Sequence, residues 1–257
     1  MTSIHPTAIV DPGAQLGVDV EIGAYSIVGP NLKIGDRTRI MPHVFLDGRT
    51  TFGTQCVVFP FASVGSQTQD LKFKGGVTSV TIGDQTTLRE YVTVNSGTND
   101  GDITQVGARC HILAYSHVAH QCVLGNDVVI SNATQLAGHV IVEDGVGIGG
   151  VCGVHQFVRI GMMSFIGGCS KVTQDIPPYM LADGNPAVPH GINVVGLQRH
   201  NVPEEIRQML KNAFRILYRQ NLTVRPALEQ IKATLPACAE RDHLLAFVEK
   251  SERGIAR

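Results

Sequence analysis

The chain has 257 residues and nearly balanced charge, because 21 Lys and Arg oppose 22 Asp and Glu and leave a net charge of −1. Such a balance provides no overall basic field for nucleic acid or for an anionic membrane surface. The N-terminus lacks a basic segment followed by an apolar run, and no stretch reaches the length of a membrane span, so we expect neither a signal peptide nor stable membrane insertion.

A six-residue repeat dominates most of the chain. Every sixth residue from Ile4 to Val172 is large and apolar, except Asp70, Gly76 and Asp100. The helical period of 3.6 and the strand period of 2.0 do not produce such a pattern. The residue two places before the apolar one is often small, and Gly often follows it directly. The repeat predicts a parallel β-helix in which each hexad forms one short strand and one turn.

Three hexads make a triangular coil, and successive coils stack roughly 4.8 Å apart, the usual spacing between strands. In this interpretation the apolar and the small residue point inward, Gly relieves the corner, and ladders of Val, Ile and Leu build a core without Trp. Six cysteines without a CxxC pair indicate reduced thiols in a cytoplasmic protein. Four of them occupy the small inward position and are predicted to pack in the core: Cys56, Cys110, Cys122 and Cys152.

Two polar, Gly-rich segments, 65–81 and 95–105, interrupt the repeat without changing its phase. We expect them to be loops that leave the prism, and such loops often carry function. Composition changes near residue 190, because 1–190 has 10 basic and 15 acidic residues whereas 191–257 has 11 basic and 7 acidic residues. The sequence therefore predicts a β-helix over 1–190 and an α-helical domain over 191–257 that covers the last coil.

Helix signals support this assignment of the C-terminal segment. Pro203, followed by two Glu residues, is typical of the first turn of a helix, and apolar residues then recur at helical spacing. Segments 224–235 and 238–252 are predicted to form two further short helices.

The coil of eighteen residues converts sequence separation into position along the prism. His120, Gly138 and Gln156 are separated by eighteen residues each and are predicted to form one column. A histidine beside a glycine N–H suits acyl transfer, because one group removes a proton and the other stabilises an oxyanion. Simple turn histidines are the alternative interpretation. Three other histidines lie close to this column: His117, His139 and His155.

A zinc site is a second alternative, since some hexapeptide-repeat carbonic anhydrases bind zinc through three histidines that include a His-x4-His pair. The nearest pairs in this chain, His111 with His117 and His117 with His120, lack that spacing. The sequence therefore predicts no metal site.

Five short motifs occur in the order and at the separations typical of the UDP-N-acetylglucosamine O-acyltransferases, and the chain resembles this family over essentially its whole length. The motifs are Gln69-Asp70-Leu71-Lys72, His117-Val118-Ala119-His120, Leu136-Ala137-Gly138-His139, Val154-His155-Gln156-Phe157 and Gly184-Asn185-Pro186. The resemblance implies a left-handed helix, which the repeat alone does not determine. It also implies a homotrimer with active sites between neighbouring prisms. Outward apolar residues independently favour subunit contacts: Val123, Val129, Ile141 and Phe165.

The resemblance implies an activity that opens lipid A biosynthesis. His120 would act as general base on the 3-hydroxyl of UDP-N-acetylglucosamine, which attacks a 3-hydroxyacyl thioester on the 4'-phosphopantetheine of acyl carrier protein. The Gly138 N–H would hold the oxyanion, and no metal or further cofactor is expected. Gly168 would lie near the end of the acyl groove, where its small size predicts a longer chain. Substrate contacts are implied for Gln69, Asp70, Lys72, His117, His139, His155, Gln156, Asn193 and Arg199.

Several positions depart from the family pattern. The family commonly has Asp directly after the base, whereas this chain has Gln121. The family usually has His-Arg at the positions of Asn95 and Ser96 in this chain. Val195 and His200 replace a Glu and an Arg near the phosphate-binding segment. These departures leave open a different sugar-nucleotide acceptor, such as one with an amino group.

A basic stripe lies on the first helix of the predicted C-terminal domain. Acyl carrier proteins are acidic, so the stripe is a candidate docking surface, although a merely solvated face is an equal alternative. Its members recur every four residues: Arg207, Lys211, Arg215 and Arg219.

Overall fold

The computed structural model describes residues 1–257, and its body is the predicted left-handed parallel β-helix. The chain passes in turn through three parallel sheets, here called A, B and C, which form the three sides of a prism. The three edges of the prism are named AB, BC and CA after the sheets that they join.

The strands are mostly two residues long, as one strand per hexad requires. Sheet A contains Ser3–Ile4, Glu21–Ile22, Arg39–Ile40, Val57–Val58, Thr87–Leu88, His111–Ile112, Val129–Ile130, Gly147–Ile148, Phe165–Ile166, Met180–Gly184 and Ala187–Ile192. Sheet B contains Ile9–Val10, Ile27–Val28, Phe45–Leu46, Ser63–Ser66, Thr93–Asn95, His117–Val118, Gln135–Leu136, Gly153–Val154 and Lys171–Val172. Sheet C contains Gln15–Leu16, Lys33–Ile34, Arg49–Phe52, Ser79–Ile82, Ile103–Val106, Val123–Leu124, Ile141–Val142 and Arg159–Ile160.

The register between coils explains why the loops preserve the phase of the repeat. In regular coils each strand pairs with the strand eighteen residues further on, as His117 does with Gln135. Val57 pairs with Thr87, thirty residues on, because the first loop intervenes, and Thr87 pairs with His111, twenty-four residues on, across the second loop. Both separations exceed eighteen by a multiple of six, so every later residue keeps its inward or outward orientation.

The inward residues form a single core that runs along the axis of the prism. Val118, Leu136 and Val154 are all buried on consecutive coils, as the aliphatic ladders require. The four cysteines predicted to pack in the core are buried and free: Cys56, Cys110, Cys122 and Cys152.

The prediction that Gly relieves the corners was wrong. Left-handed backbone occurs instead three residues after the aliphatic position, mostly at other residue types such as Tyr25 (φ 59°) and His43 (φ 61°). Tyr25, His43 and Phe61 stack on one another along the AB edge, with ring centroids 5.1 and 5.3 Å apart. The Gly after the aliphatic residue serves close approach between coils, since a Cβ on Gly23 would lie 2.6 Å from the backbone nitrogen of Pro42.

After the last regular coil, an antiparallel hairpin of Met180–Gly184 and Ala187–Ile192 leads into four helices. The helices are α1 (Val194–Arg199), α2 (Glu204–Arg219), α3 (Val224–Thr234) and α4 (Ala239–Glu249). α2 follows Pro203 as predicted, whereas the hairpin and α1 were not predicted. α1 has only six residues and depends on a local cap, in which the Asn193 side chain accepts from the N–H of Gly196 at 3.0 Å. No helix has both the length and the hydropathy needed to span a membrane.

Candidate active site

The BC edge collects segments that are far apart in the sequence. Both loops leave the prism there, between the strands that end at Ser66 and Asn95 and those that begin at Ser79 and Ile103. The next three coils contribute the turns 119–122, 137–140 and 155–158 to the same edge. Because the coils stack in register, polar side chains from five segments lie along one line.

His120 and Gly138 lie against each other at the centre of this edge. The His120 ring occupies the space of a side chain at residue 138, since a Cβ added to Gly138 would overlap the imidazole. The backbone carbonyl of His120 accepts from the N–H of His139 at 3.0 Å, which aligns the two turns. The His120 side chain is 12% exposed, and its Nε2 lies 3.9 Å from Oδ2 of Asp70. The structure therefore brings together the predicted base and the predicted oxyanion donor.

The backbone N–H of Gly138 has no hydrogen-bond acceptor within the protein. Equivalent turns on the CA edge satisfy this group with a side chain from the next coil, as Asn126 does for the N–H of Ala108 at 2.9 Å. On the BC edge the residue in that place is Gln156, which makes no such bond. An N–H without a partner, beside an imidazole, is free to bind a developing oxyanion.

The first loop brings a carboxylate to the base. Asp70 accepts from the N–H of Lys72 at 3.0 Å and from the Thr98 hydroxyl of the second loop at 3.3 Å. These hydrogen bonds, the Lys72 N–H above all, hold the pKa of Asp70 below its usual value. Asp70 is therefore ionised beside His120 at neutral pH.

Two further histidines flank the base. Burial, and next the proximity of His120, lower the pKa of both His117 and His139, so neutral imidazoles are favoured there. His117 shares a hydrogen bond of 2.7 Å with the Thr93 hydroxyl, and His139 stacks on Phe157 at 4.7 Å. No group of three or more His, Cys, Asp or Glu side chains is arranged to hold a metal ion.

Most of the predicted site residues share one cavity of about 740 Å³ on sheet B. They are Gln69, Asp70, Lys72, His117, His120, His155 and Gln156. Asn193 and Arg199 lie elsewhere, in a second cavity of about 780 Å³ on sheet A. His139 faces the side of sheet C, and Gly168 is exposed on the AB edge. Within one chain, the predicted site residues are thus spread over all three sides of the prism, with the largest group on sheet B.

The positions that depart from the family pattern have distinct surroundings. Asn95 and Ser96 are buried and do not line the cavity, and Asn95 donates to the backbone carbonyl of Gln67 at 3.2 Å. These two residues therefore tie the bases of the two loops together. Val195 and His200 line the second cavity.

Sequence reasoning missed two residues of the second loop that reach the site. Thr98 bonds to Asp70, and Asp102 approaches the base through Gln121. Neither residue belongs to the repeat, so its position depends on the path of the loop. The only signal for them was the polar, Gly-rich segment 95–105, which was expected to carry function.

Known proteins resemble the chain over its whole length. Residues 175–256 match the family profile described as Udp N-acetylglucosamine O-acyltransferase; Domain 2. The acyl-[acyl-carrier-protein]–UDP-N-acetylglucosamine O-acyltransferases of Thermodesulfovibrio yellowstonii and Herminiimonas arsenicoxydans are 45% and 46% identical over 258 and 266 residues, covering 100% of both chains in each case.

Solved structures agree with these relatives. LpxA from Acinetobacter baumannii superposes with a TM-score of 0.95 at 40% identity and covers 99% of each chain. LpxA from Bacteroides fragilis, described as a UDP-N-acetylglucosamine acyltransferase, gives 0.97 at 38% identity over 99% of this chain and 100% of its own. The chain therefore belongs to the UDP-N-acetylglucosamine O-acyltransferase family.

Proposed function

We propose that the chain transfers a 3-hydroxyacyl group from acyl carrier protein to the 3-hydroxyl of UDP-N-acetylglucosamine, the first step of lipid A biosynthesis. The observation that carries this proposal is the contact between His120 and Gly138 at the edge of the sheet B cavity. Full-length relatives with this activity support the assignment of the reaction.

In the proposed reaction, Nε2 of His120 removes the proton from the 3-hydroxyl as the oxygen attacks the thioester carbonyl. The carbonyl oxygen becomes an oxyanion, which accepts a hydrogen bond from the free N–H of Gly138. The carbon–sulfur bond then breaks, and His120 returns the proton to the pantetheine sulfur. A positioned base contributes about 10²–10⁴ in rate, and one oxyanion donor contributes about 3 kcal/mol.

Asp70 and Lys72 have complementary parts in this scheme. The Asp70 carboxylate, 3.9 Å from Nε2 of His120, stabilises the imidazolium that forms and accepts from a substrate hydroxyl. Lys72 extends from the exposed tip of the same loop, where its ammonium attracts anionic substrate groups. His117 and His155 line the same cavity and contact the sugar or the pantetheine arm.

A homotrimer would unite the two cavities. Asn193 and Arg199 lie on sheet A, away from His120, and an Arg guanidinium suits a diphosphate. Phe165 and Val129 are 39% and 41% exposed on the same side, which leaves an apolar surface for a second copy. We infer that the sheet A cavity of one protomer faces the sheet B cavity of its neighbour, so that each active site uses two chains.

The proposed substrates carry both reacting groups, so the reaction needs no metal or further cofactor from the protein. We infer that the reaction takes place in the cytoplasm because its proposed substrates are a nucleotide sugar and an acyl carrier protein. Six free thiols support this location, since such thiols remain reduced there.

The test is incubation with UDP-N-acetylglucosamine and a panel of acyl carrier proteins that carry 3-hydroxyacyl or unsubstituted chains. We expect one product with the mass of a 3-hydroxyacyl ester, linked at O3 by NMR, and a loss of at least about 10²-fold in kcat for His120→Ala. If only a sugar nucleotide with a 3-amino group is acylated, the acceptor is the amino group and not the 3-hydroxyl. Full activity of His120→Ala would contradict the assignment of the base.

A further inference from the structure

A side-chain bridge connects His120 to a carboxylate of the second loop. Nδ1 of His120 hydrogen-bonds to Oε1 of Gln121, and Nε2 of Gln121 donates to Oδ2 of Asp102. The family pattern has an Asp directly after the base. Here an amide occupies that position, and the carboxylate lies one group further away.

We propose that Gln121 and Asp102 are positioning residues that hold His120 in its reactive tautomer. This inference depends on the proposed role of His120 as general base. The three side chains are called the Asp102–Gln121–His120 bridge below.

The chemistry of the groups permits only one orientation of the Gln121 amide. A carboxylate only accepts hydrogen bonds, so Asp102 requires the NH₂ group of Gln121 to face it. The amide oxygen then faces His120, and Nδ1 must carry the proton that it donates. The lone pair is therefore on Nε2, which faces Asp70 and the cavity where the acceptor hydroxyl would lie.

The second loop holds Asp102 in place for this contact. The same Oδ2 accepts from the backbone N–H of Asn99 at 2.6 Å and from its side-chain amide at 3.0 Å. Residue 97 must be Gly, because a Cβ there would overlap the Cβ of Asp102. The loop geometry thus brings the carboxylate to the BC edge and fixes it there.

The turn holds Gln121 just as closely. Its backbone is left-handed (φ 53°), and its N–H donates to the buried hydroxyl of Thr104 at 2.9 Å. Gln85 is a matched control, since it occupies the same kind of left-handed corner (φ 58°) on the CA edge. Its side chain bonds only to Gln55, at 3.0 Å, and has no contact with the BC edge.

The experiment is a double-mutant cycle with Gln121→Ala, Asp102→Asn and the double variant, measured as kcat and as KM for both substrates. We expect kcat to fall about 10- to 100-fold in each single variant, because either change frees the imidazole or the amide to reorient. KM should change less than about twofold, since neither residue binds substrate. The double variant should be no slower than Gln121→Ala, because both substitutions break the same bridge. Gln85→Ala should match the wild type.

Melting temperatures of all variants separate this effect from loss of folding, and Asp102→Ala provides a second test if Asp102→Asn retains the bridge. Additive losses in the double variant would overturn the bridge. Full activity of Gln121→Ala, together with an inactive His120→Ala, would also overturn the bridge. In that case the proposed function is unaffected, because His120 is still needed as the base. If His120→Ala keeps wild-type turnover, the base assignment and the bridge both fail.

Discussion

The imidazole of His120 occupies the volume that any side chain at residue 138 would need. Glycine at 138 therefore does more than expose a backbone N–H, because it lets the base lie directly over the oxyanion donor. We expect Gly138→Ala to displace the ring and reduce kcat by about 10²–10³-fold, near the value of removing the base. Steady-state kinetics on the folded variant measure this loss.

The matched control is Gly191→Ala, since a Cβ at residue 191 meets nothing within 4 Å. It should keep wild-type turnover. Normal activity of Gly138→Ala would show that the ring can move aside without cost, and that its contact with Gly138 is not needed.

Gly168 tests where the acyl chain ends. A Cβ at this exposed corner would lie 3.3 Å from the backbone oxygen of Gly150, so a side chain fits there with a small adjustment. We predict that Gly168→Met shortens the preferred acyl chain, because the longer side chain fills the end of the groove. Competition among acyl carrier proteins that carry chains of different length measures the preference, and an unchanged preference would leave Gly168 as a corner residue only.

The basic stripe on α2 gives a prediction for acyl carrier protein. Lys211 and Arg215 are exposed, and reversing both charges should raise the KM for acyl carrier protein while kcat stays nearly constant. Lys33→Glu with Arg49→Glu is a control of equal charge change on the exposed face of the N-terminal coils. If both double variants have the same KM, a specific docking surface on α2 is excluded.

The repeat predicted the body of the fold and the column at the BC edge. A coil of constant length determines on which side of the prism each residue lies and how far along the prism axis it lies. His120 and Gly138 could be paired from their separation alone, and the structure confirms that contact. The repeat does not specify how a loop folds, so the approach of Asp102 to Gln121 could not be foreseen. The repeat also does not place Arg199, since the hairpin before α1 lies outside it, and only the resemblance implied that the site is shared between neighbouring prisms.

The lowered pKa values of His117 and His139 predict how stability depends on pH. Both groups stay neutral in the folded chain to lower pH than in the unfolded chain, where a histidine has a pKa of about 6.5. As pH falls below that value, the unfolded chain binds protons that the folded chain does not, and the free energy of unfolding decreases. The melting temperature should therefore fall between about pH 7 and pH 5.

His117→Asn should make this decrease shallower, because it removes one of the two groups. His5→Asn, at an exposed position in the first coil, is the matched control for the same substitution. An identical slope in His117→Asn would mean that protonation of His117 does not contribute to acid destabilisation.

Mixed oligomers test whether each active site uses two chains. Neither His120→Ala nor Arg199→Ala alone should form efficient sites, because one lacks the base and the other lacks the proposed phosphate ligand. If a site combines His120 of one protomer with Arg199 of its neighbour, random mixing at equal ratio leaves both residues intact at about one quarter of the interfaces in a closed ring. Refolding or coexpressing the two variants together should then restore about a quarter of wild-type activity by the same counting. No recovery in verified mixed oligomers would mean that Arg199 acts within its own chain, whereas full activity of Arg199→Ala alone would mean that Arg199 has no role in the site.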